Sequence, residues 1–516
     1  MSLPEEWAWR PGPGGLGATW KGRTLTSSYA PYKDALRHAQ NAPKAALFVL
    51  LGWGTGHLGH ALAEHYPESV VLALEPNDKR CEAAQQHPEW SSLSQHPRLV
   101  LWNQNEVPYA WLMGFPPTKT HILIHPALEE EPDIKNLAEA CHVFLDRQRV
   151  NVRTLKRFAP LWGRNLQKNL DSHQLESASI WINTYKNRSL LIAAAGPSLE
   201  DGLKEFLSLS QRNEVTLIAV DSAHPALFAN GIVPDFVISM DAQYWNARHL
   251  DSLSTENLVV ELVSHPSLIQ RHRGRVFVVG SSIPPVADLE QQRFPKLASG
   301  GSVSTAAASF AQLLGAEAVL WLGLDLAWHH GRTHARPGLV EALFHSRAHR
   351  TKTLDTESLQ NSLNQARVWM EGSDGKRFLV DQRLFLYALW LDEAQQNHII
   401  PQSHRLLPKT RIPQFTPAKH IVEFLNRFPS TRVEAPPTTL ARISTQDLEL
   451  LRKAWFDWRN NPKLDFPQRL ERTWTEWIGP VHASRQRFAL PPLEQEFEER
   501  CSIIDAFFYP TTLKEA

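Results

Sequence analysis

Two glycine-containing turns in the middle of the chain carry residue types that bind phosphate. In the first, Gly196, Pro197 and Ser198 follow an apolar run that ends at Ala194. Glycine reaches backbone conformations closed to other residues, proline favours the first turn of a helix, and serine caps a helix N-terminus. Backbone amides at such a helix start bind anions. We therefore expect this turn to bind a nucleotide phosphate.

The second turn is dense in hydroxyl groups and also precedes a helix-like segment. It contains Gly300, Gly301, Ser302, Ser304 and Thr305. Either turn alone is also the pattern of an ordinary helix cap. Two such turns at one edge of a sheet favour a nucleotide-containing donor, so the two glycines, Ser302 and Thr305 are candidate nucleotide-binding residues.

Acidic residues follow three predicted strands of the same region. Asp221, Asp241 and Asp325 each have the position from which a carboxylate orients a ribose, binds a divalent cation or acts as a base. Helix capping is the alternative reading of Asp221. Residues 240–243 (MDAQ) are not a DxD motif, so no metal ligands are predicted. We assign Asp241 to catalysis and the other two to nucleotide binding.

Two histidines are the leading candidates for a general acid or base. His265 stands in an SHP sequence and His334 in GRTHA. Histidine is the side chain used most often for proton transfer near neutral pH. The chain has 23 histidines, and any one of them is more often structural than catalytic.

A further glycine cluster lies near the N-terminus. Gly52, Gly54, Gly56 and Gly59 follow an apolar strand, and Glu75 ends the next one. This layout binds a dinucleotide or S-adenosylmethionine, with the acid on a ribose. A tight strand-to-helix turn is the alternative. Because no downstream motif completes a dehydrogenase or a methyltransferase, we interpret the cluster as structural or accessory.

Short apolar runs that alternate with helix-like segments position these residues. Strands are predicted at 45–51, 70–74, 99–102, 120–124, 190–194, 215–220, 236–240, 258–263, 275–279 and 318–322. Such alternation predicts open, doubly wound parallel sheets that bind ligands at the carboxyl ends of their strands.

The predicted fold class is α/β, with a helical C-terminal region. The expected domains are a Rossmann-like domain at 1–135, a helical connector at 136–188, a central doubly wound domain at 189–435, and C-terminal helices at 436–516. Residues 1–40 are expected to be an irregular lead-in. The C-terminal helices are expected at 445–461, 465–477 and 492–507.

Composition excludes several classes of function. Lys plus Arg and Asp plus Glu both number 54, so no global field attracts nucleic acid or an anionic membrane. The three cysteines form no CxxC pair, so neither a zinc site nor a disulfide framework is indicated. The N-terminus lacks the pattern of a signal peptide, and no apolar run is long enough to predict a membrane span. We expect a cytoplasmic protein.

Four segments of the central region carry a family likeness. AAGPSLED at 194–201, AVDSAHPALFANGIVPDFVISMDAQ at 219–243, SGGSVSTAAASFAQLLGAEAVLWLGLDLAW at 299–328 and GRTHA at 331–335 resemble, in order and spacing, the motifs of the Maf and MptE-like (6-hydroxymethylpterin diphosphokinase-like) superfamily. LGWGTGHLGHAL and LALEPN resemble the Rossmann-like N-terminal region of the motility-associated factor (Maf) proteins. Ser304 and Trp328 depart mildly from the expected pattern.

The resemblance implies a glycosyltransferase with a sialyltransferase-like central domain. Maf proteins are associated with moving a nonulosonic, sialic-acid-like sugar from its CMP donor to Ser or Thr of flagellin, in the cytoplasm before export. On this resemblance, flagellin or another secreted protein is the acceptor, no cofactor beyond the CMP-sugar substrate is required, and Mg²⁺ is an optional addition. A basic or hydroxyl-rich face would take the sugar carboxylate. The residues that would surround CMP are Gly196, Ser198, Asp221, Asp241, Gly301, Ser302 and Thr305.

Two other functions remain open at this point. The first is Mg²⁺-dependent transfer of pyrophosphate from ATP to a hydroxymethylpterin, which would use Asp221 and Asp241. The length of the chain argues against it, since that branch of the superfamily is expected to be compact. The second is a non-catalytic flagellin-binding protein with a partner surface on its C-terminal helices. The tryptophans of that surface would be Trp455, Trp458, Trp474 and Trp477.

Overall fold

A computed structural model describes the chain over residues 3–510. It leaves out 172–174, 254–255, 329–331, 355, 358–359, 361–366, 373–374, 376, 409, 438–442 and 463, and it describes only the backbone at 378–379. The chain forms two compact units. The first unit contains residues 1–160 and 457–516, and the second contains residues 161–456.

The described strands number eighteen. They are β1 (Trp7–Gly12), β2 (Gly15–Trp20), β3 (Arg23–Thr26), β4 (Leu47–Leu51), β5 (Val70–Leu74), β6 (Leu99–Trp102), β7 (Thr120–Ile124), β8 (Leu175–Ser177), β9 (Ser189–Ala193), β10 (Leu217–Val220), β11 (Phe236–Ser239), β12 (Asn257–Val260), β13 (Val276–Val278), β14 (Ala318–Leu322), β15 (Arg367–Glu371), β16 (Arg377–Asp381), β17 (Gln402–Leu406) and β18 (Thr416–Ala418).

The described α-helices follow the same order. They are α1 (Pro31–Gln40), α2 (His57–His65), α3 (Asp78–Gln85), α4 (Trp90–Ser94), α5 (Tyr109–Met113), α6 (Pro132–Leu170), α7 (Leu199–Ser208), α8 (His224–Ala229), α9 (Tyr244–Ala247), α10 (Pro266–Arg271), α11 (Pro284–Glu290), α12 (Val303–Leu313), α13 (Leu339–Arg347), α14 (Gln382–Gln396), α15 (Ile421–Arg427), α16 (Thr445–Asn460), α17 (Glu471–Thr473), α18 (Gly479–Phe488) and α19 (Pro491–Phe508). A π-helix, Trp474–Ile478, joins α17 to α18.

The first unit contains the predicted Rossmann-like sheet. Four parallel strands lie in the order β6-β5-β4-β7. The strands β4 and β5 are buried along their whole length, which explains why their sequences are continuously apolar. The strand order reverses between β4 and β7, as expected for a doubly wound sheet.

The expectation of an irregular lead-in at residues 1–40 is wrong. The strands β1, β2 and β3 form an antiparallel sheet, and α1 follows them. The pairing places Trp7 opposite Trp20, and both indoles are buried together with Ala18. Glycines and prolines, which are unfavourable in most strands, concealed these short strands in the sequence.

The C-terminal helices differ from the prediction in the middle of the segment. Where one helix was expected at 465–477, a 3₁₀ turn, α17 and the π-helix occur, and α18 was not predicted. An aromatic cluster explains the local order, because the Trp474 ring lies 4.5 Å from that of Phe466 and 5.9 Å from that of Trp458. These tryptophans therefore form a core, as their spacing first indicated.

The second unit is built on a nine-stranded parallel sheet. Its strands lie in the order β18-β17-β14-β9-β10-β11-β12-β13-β8. The predicted central strands are all present, with ends that differ by at most three residues. The strand β9 lies between β14 and β10, so the chain winds outward in both directions from β9. The switch point is therefore the gap between the carboxyl ends of β9 and β14.

The region predicted as a helical connector has two parts. The helix α6 extends to Leu170, and β8 then pairs with β13 at the edge of the central sheet. The Arg275 guanidinium donates two hydrogen bonds to the Glu176 carboxylate beside this pairing. The strand has only three residues, too few to show an alternating pattern in the sequence. The predicted boundary at residue 189 thus falls inside the second unit.

Between β14 and β17 the second unit carries an insertion. It contains α13, an antiparallel hairpin of β15 and β16, and α14, which follows β16 directly. Both α13 and the start of α14 reach the carboxyl edge of the sheet. Within the residues that the structure describes, no helix is both long and apolar enough to cross a membrane.

Candidate functional site

A cavity of about 460 Å³ lies at the switch point of the central sheet. Loops that follow β9, β10 and β14 form one side of it, and α13 and the start of α14 form the other. The predicted site residues Gly196, Asp325 and His334 line this cavity directly. Ser222 and Ser304, which neighbour predicted residues, line it as well. Ligands of doubly wound sheets bind at this place in the fold.

Gly196 is required for a reason other than the predicted one. A Cβ atom there would lie 2.5 Å from both the Asp325 carboxylate and the Gly323 carbonyl oxygen. Its φ angle is not among the positive ones. The Gly196 amide donates to the Gly323 carbonyl over 2.8 Å. Glycine therefore permits two loops to touch across the switch point, and the expectation of a special backbone conformation is wrong.

The expected capping by Ser198 is also wrong. Its side chain makes no capping hydrogen bond, and its amide donates to the Asp325 carboxylate over 2.7 Å. Pro197 precedes the cap, since α7 begins at Leu199. The carboxylate of Asp325, in the loop after β14, thus takes the place at the start of α7 that was predicted for phosphate. This contact fixes the β9 and β14 loops to each other.

A buried arginine that was not predicted from the sequence holds the backbone around Asp325. Arg405 on β17 donates to the Leu324 and Thr410 carbonyls, each over 2.9 Å. The Thr410 hydroxyl donates in turn to the Asp325 carbonyl over 3.2 Å. Burial lowers the Arg405 pKa to about 10, although the Asp325 charge acts to raise it. A charged residue in an otherwise buried strand was the available indication in the sequence.

The turn at Gly300–Thr305 is closed by its own hydroxyl groups. The Thr305 hydroxyl accepts from the amides of Gly300 (2.9 Å) and Ser302 (3.3 Å) and donates to the Ser302 carbonyl over 2.6 Å. The Ser302 side chain accepts from the Thr305 amide, which completes a capping box. The amide of Gly301 donates to the Ser299 hydroxyl. The predicted amides are therefore used within the turn, and Ser304 is the residue that reaches the cavity.

Asp221 is buried just behind the cavity. Its carboxylate accepts from the Ser239 hydroxyl (2.9 Å) and the Ser222 amide (2.7 Å). Burial raises its pKa to about 7, with a further increase from the charge of Asp241. A carboxyl group with a pKa near neutrality at the edge of a cavity is characteristic of functional sites.

Asp241 and His265 lie side by side and are not among the residues that line the cavity. The His265 amide donates to the Asp241 carbonyl over 3.1 Å. The Asp241 carboxylate accepts from the Gln243 amide (2.7 Å) and the Asn246 side chain, so it is engaged by residues at the start of α9. The Nδ1 atom of His265 accepts from the Ser267 amide and caps α10. The catalytic role predicted for both residues stays a prediction, and their observed contacts are structural.

His334 is the predicted histidine that faces the cavity. Its loop is joined to the loop that follows β9, because the Ala335 amide donates to the Ala195 carbonyl over 2.8 Å. The Thr333 hydroxyl lies 2.8 Å from the Nδ1 atom of His334. Burial lowers the His334 pKa, so the imidazole is neutral at neutral pH and can accept a proton. Gly331 of the same motif lies outside the described residues.

Two arginines, Arg347 and Arg383, line the cavity together with two aspartates, Asp325 and Asp381. Arg383 at the start of α14 donates to the Asp381 carboxylate over 2.8 Å. Arg347 at the end of α13 forms no ion pair within the described part of the chain, and its side chain is exposed. The part of the cavity around Arg347 therefore favours an anionic group of a ligand.

The helix α6 supplies a second set of residues that the sequence analysis missed. Asn165 donates to the carbonyls of Ala242 and Val263 over 2.9 and 3.0 Å. Asn169, one turn later, donates to the carbonyls of Leu262 and Ser264, each over 2.8 Å. These amides tie the loops after β11 and β12 to one helix. Two asparagines four residues apart on one face of a helix were the available indication.

The glycine turn of the first unit is filled by protein. Gly52, Gly54 and Gly56 have φ angles of 90°, 61° and 95°, which other residues rarely adopt. A Cβ at Gly54 would lie 2.7 Å from the His125 ring, and one at Gly56 would lie 2.5 Å from the Trp53 ring. The interpretation of this turn as structural agrees with this packing.

Glu75, the predicted ribose ligand of that turn, is fully engaged. It accepts from the Trp53 and Asn77 amides, each over 3.1 Å, and from the Arg80 guanidinium over 2.9 Å. Burial raises the Glu75 pKa, while Arg80 acts to lower it. Within the residues described, the carboxylate is directed at protein donors and not at an open ribose site.

Comparison with known proteins agrees with this architecture. Residues 164–331 match the family model of the 6-hydroxymethylpterin diphosphokinase MptE-like proteins. The matched stretch contains the switch point, the Gly300–Thr305 turn and Asp325, so the resemblance of the central motifs to this family is confirmed.

Two relatives come from Treponema pallidum (strain Nichols), and both are uncharacterised proteins. One is 28% identical over 235 residues, which cover 38% of this chain and 59% of the relative. The other is 38% identical over 87 residues, which cover 17% of this chain and 40% of the relative. The chain thus spans less than two thirds of the length of these relatives.

A solved structure extends the likeness beyond the MptE-like domain. The MAf glycosyltransferase from Magnetospirillum magneticum AMB-1 superposes with a TM-score of 0.59 at 15% identity. The match covers 99% of this chain and 87% of that one. At this identity the likeness shows the fold alone, and it confirms the predicted α/β fold with a helical C-terminal region.

Proposed function

We propose that this chain is a glycosyltransferase that moves a nonulosonic, sialic-acid-like sugar from a CMP donor to a Ser or Thr hydroxyl of a secreted protein such as flagellin. The reaction takes place in the cytoplasm and needs no cofactor besides the donor. The observation that carries the proposal is the cavity at the switch point, where His334, Asp325 and Arg347 converge. Similarity to a MAf glycosyltransferase over nearly the whole chain supports the same reaction class.

The proposed reaction is a displacement at the anomeric carbon of the sugar. The acceptor oxygen forms a bond to that carbon, the bond from the carbon to the phosphate oxygen breaks, and CMP leaves with the bonding electron pair. The proton of the acceptor hydroxyl passes to a base. A neutral imidazole is suited to this step, and His334 is the cavity histidine that burial holds neutral.

Charge recognition at the cavity suits a donor of this kind. A CMP-activated nonulosonate carries one phosphodiester and one sugar carboxylate. Arg347 and Arg383 provide guanidinium groups on the helical side of the cavity, while Ser222 and Ser304 provide hydroxyl groups on the opposite side. We propose that the arginines bind the two anionic groups, because guanidinium matches carboxylate and phosphate geometry.

A second candidate is the pyrophosphate transfer for which the matching family model is described. That reaction needs Mg²⁺ held by carboxylate oxygens, for which Asp221 and Asp241 were the predicted residues. In the structure each of their carboxylates accepts two hydrogen bonds from protein donors. This arrangement favours a structural role for the pair and makes pyrophosphate transfer the less supported candidate.

The two candidates are separated by ligand binding to the full chain. A thermal-shift series would contain CMP, a CMP-nonulosonate, ATP with Mg²⁺, and S-adenosylmethionine. Binding to the folded state raises its stability by about 2.7 kcal/mol when the ligand is at 100 times its Kd. We expect shifts with the two cytidine ligands alone. A shift only with ATP and Mg²⁺ would reject the glycosyltransferase proposal in favour of the kinase.

Catalysis is then tested by transfer of the sugar to flagellin in vitro. We expect His334→Ala to lower kcat by roughly 10²–10⁴-fold with the donor KM little changed, because a proton acceptor is lost while the donor contacts remain. His265→Ala is the matched control and should retain most of the activity. Binding of CMP without any transfer by the wild-type chain would instead support a non-catalytic flagellin-binding protein.

A further inference from the structure

Two histidines and a carboxylate converge in the first unit, in a cluster that the proposed reaction does not use. His57 begins α2, and His87 and Glu89 lie on the connection between α3 and α4. One nitrogen or oxygen atom from each of the three side chains lies within 4.8 Å of the other two. Across the described ranges of the chain, no other set of three such residues reaches this spacing.

The hydrogen bonds of the two imidazoles direct one nitrogen of each toward the cluster. The Nδ1 atom of His57 lies 2.9 Å from the Thr55 hydroxyl, and its Nε2 atom lies 3.5 Å from the Glu89 carboxylate. The Nε2 atom of His87 lies 3.0 Å from the Leu16 carbonyl oxygen, which can only accept. His87 therefore carries its proton on Nε2 and has its lone pair on Nδ1.

This is the arrangement of histidines that ligate metals. In such sites the ring nitrogen away from the metal donates to an oxygen, and the bond fixes the tautomer and the ring orientation. The Nδ1 lone pair of His87 now accepts from the Glu89 amide over 3.1 Å. A zinc ion would take the place of this amide hydrogen at the Nδ1 atom of His87.

The position of Glu89 gives an ion access to the cluster. Both histidines are buried, whereas the Glu89 side chain is 64% exposed, so the cluster is open to an ion from solvent.

We propose that His57, His87 and Glu89 bind Zn²⁺, with water as the fourth ligand. Zinc takes imidazole nitrogen and carboxylate oxygen at about 2.0–2.2 Å in tetrahedral geometry, which places its ligand atoms about 3.3 Å apart. The His57–Glu89 separation of 3.5 Å is already close to this spacing. The ion links the start of α2, which follows the Gly52–Gly56 turn, to the connection between α3 and α4.

A neighbouring cluster provides a matched control. The Glu64 carboxylate lies 3.9 Å from the Nε2 atoms of both His60 and His96. The Glu64 side chain is 51% exposed, so Glu64 resembles Glu89 in being an exposed glutamate beside histidines. The three residues do not meet the ligand spacing of the first cluster. Loss of one carboxylate at either place removes the same charge, and at Glu89 alone it removes a zinc ligand.

The test is metal binding by the full chain after chelation and dialysis. We expect calorimetry to show one equivalent of Zn²⁺ bound by the wild-type chain and by Glu64→Gln, and at least a tenfold weaker affinity for Glu89→Gln. Added Co²⁺ should give the visible absorption of a tetrahedral site in the first two proteins only.

His87→Gln, with its fold checked by circular dichroism, should weaken binding in the same way. Three results would each overturn the proposal. They are no stoichiometric binding by the wild type, unchanged affinity in Glu89→Gln, and an equal loss of affinity in Glu64→Gln. None of these measurements depends on the proposed glycosyltransferase activity.

Discussion

Arg347 combines a position in the cavity with the absence of a described ion-pair partner. A guanidinium in this situation keeps its donors available for a ligand, whereas the Arg383 guanidinium forms an ion pair with Asp381. On the proposed function, we expect an anionic group of the donor to contact Arg347 rather than Arg383. Recognition of anions by such a side chain weakens as salt screens the interaction.

The first prediction follows from that difference. Arg347→Gln should raise the donor KM by roughly 10- to 150-fold and reduce its salt dependence, since one charge-assisted contact contributes roughly 1.5–3 kcal/mol. Steady-state kinetics at two salt concentrations would measure both effects. Arg350→Gln is the control, because that exposed arginine does not line the cavity. Equal effects of the two substitutions would show that only the general field of the surface matters.

Gly196 gives a second prediction at the residue scale. In Gly196→Ala the new methyl group meets the Asp325 carboxylate and the Gly323 carbonyl at 2.5 Å, and both are held by hydrogen bonds. We expect a loss of about 1–3 kcal/mol in the free energy of unfolding, with activity lost as the two loops separate. Thermal unfolding and transfer assays would measure these effects.

The matched control lies on the adjoining helix. At Gly202 on α7 a Cβ would meet its nearest neighbour, Leu322, at 3.4 Å, which is an ordinary contact. Gly202→Ala should therefore be neutral or slightly stabilising, since alanine is the better helix former. A Gly196→Ala protein as stable as Gly202→Ala would contradict the described approach of the two loops.

At the scale of elements, α6 holds two loops at the carboxyl edge of the sheet in place. Each of its asparagine amides holds two loop carbonyls, and such carbonyls are costly when buried without a donor. Asn169→Leu leaves the carbonyls of Leu262 and Ser264 unpaired. We expect the free energy of unfolding to fall by roughly 2–6 kcal/mol, at about 1–3 kcal/mol for each of the two groups.

Calorimetry of the full chain would check this expectation. Lys168→Ala serves as the control, because its side chain is exposed on the adjacent position of the same helix. The control should change the unfolding temperature little. If Asn169→Leu unfolds at the same temperature as Lys168→Ala, the loop after β12 is held by other contacts and α6 has no role in positioning it.

The elements also show what the sequence could reveal. The buried parallel strands β5 and β14 were predicted with their observed ends, because a continuous apolar run specifies both the strand and its burial. The three-residue β8 and the glycine-containing β1–β3 sheet depend on tertiary pairing, which periodicity does not contain. The same limit applies to the site. Its glycines and acids were identified, but the contact from Asp325 to the Ser198 amide joins residues far apart in sequence.

At the scale of the whole molecule, buried carboxyl groups make stability depend on pH. Burial raises the pKa of Asp221 and of Glu261 to about 7. A raised pKa in the folded state means that the folded protein binds the proton more tightly than the unfolded chain does. The associated stability is complete below the ordinary pKa near 4 and is lost as pH rises through about 7. Three buried histidines with pKa values lowered to about 4 act in the opposite direction below pH 6.5. They are His57, His125 and His249.

The contributions of the other titrating groups are the same in the wild type and in a variant that lacks one carboxyl group. They therefore cancel when the change in unfolding free energy between two pH values is compared for the two proteins. Asp221→Asn can accept from the Ser222 amide and donate to the Ser239 hydroxyl, but it cannot titrate. Between pH 5 and pH 8 the wild type should therefore lose on the order of 3 kcal/mol more unfolding free energy than this variant. Urea unfolding at the two pH values measures the difference.

Asp201→Asn, at an exposed aspartate of α7, is the control and should follow the wild type. Parallel behaviour of Asp221→Asn and the wild type would mean that Asp221 is ionised in the folded protein throughout this range. Its carboxylate would then be solvated or paired more strongly than the Ser239 and Ser222 contacts allow.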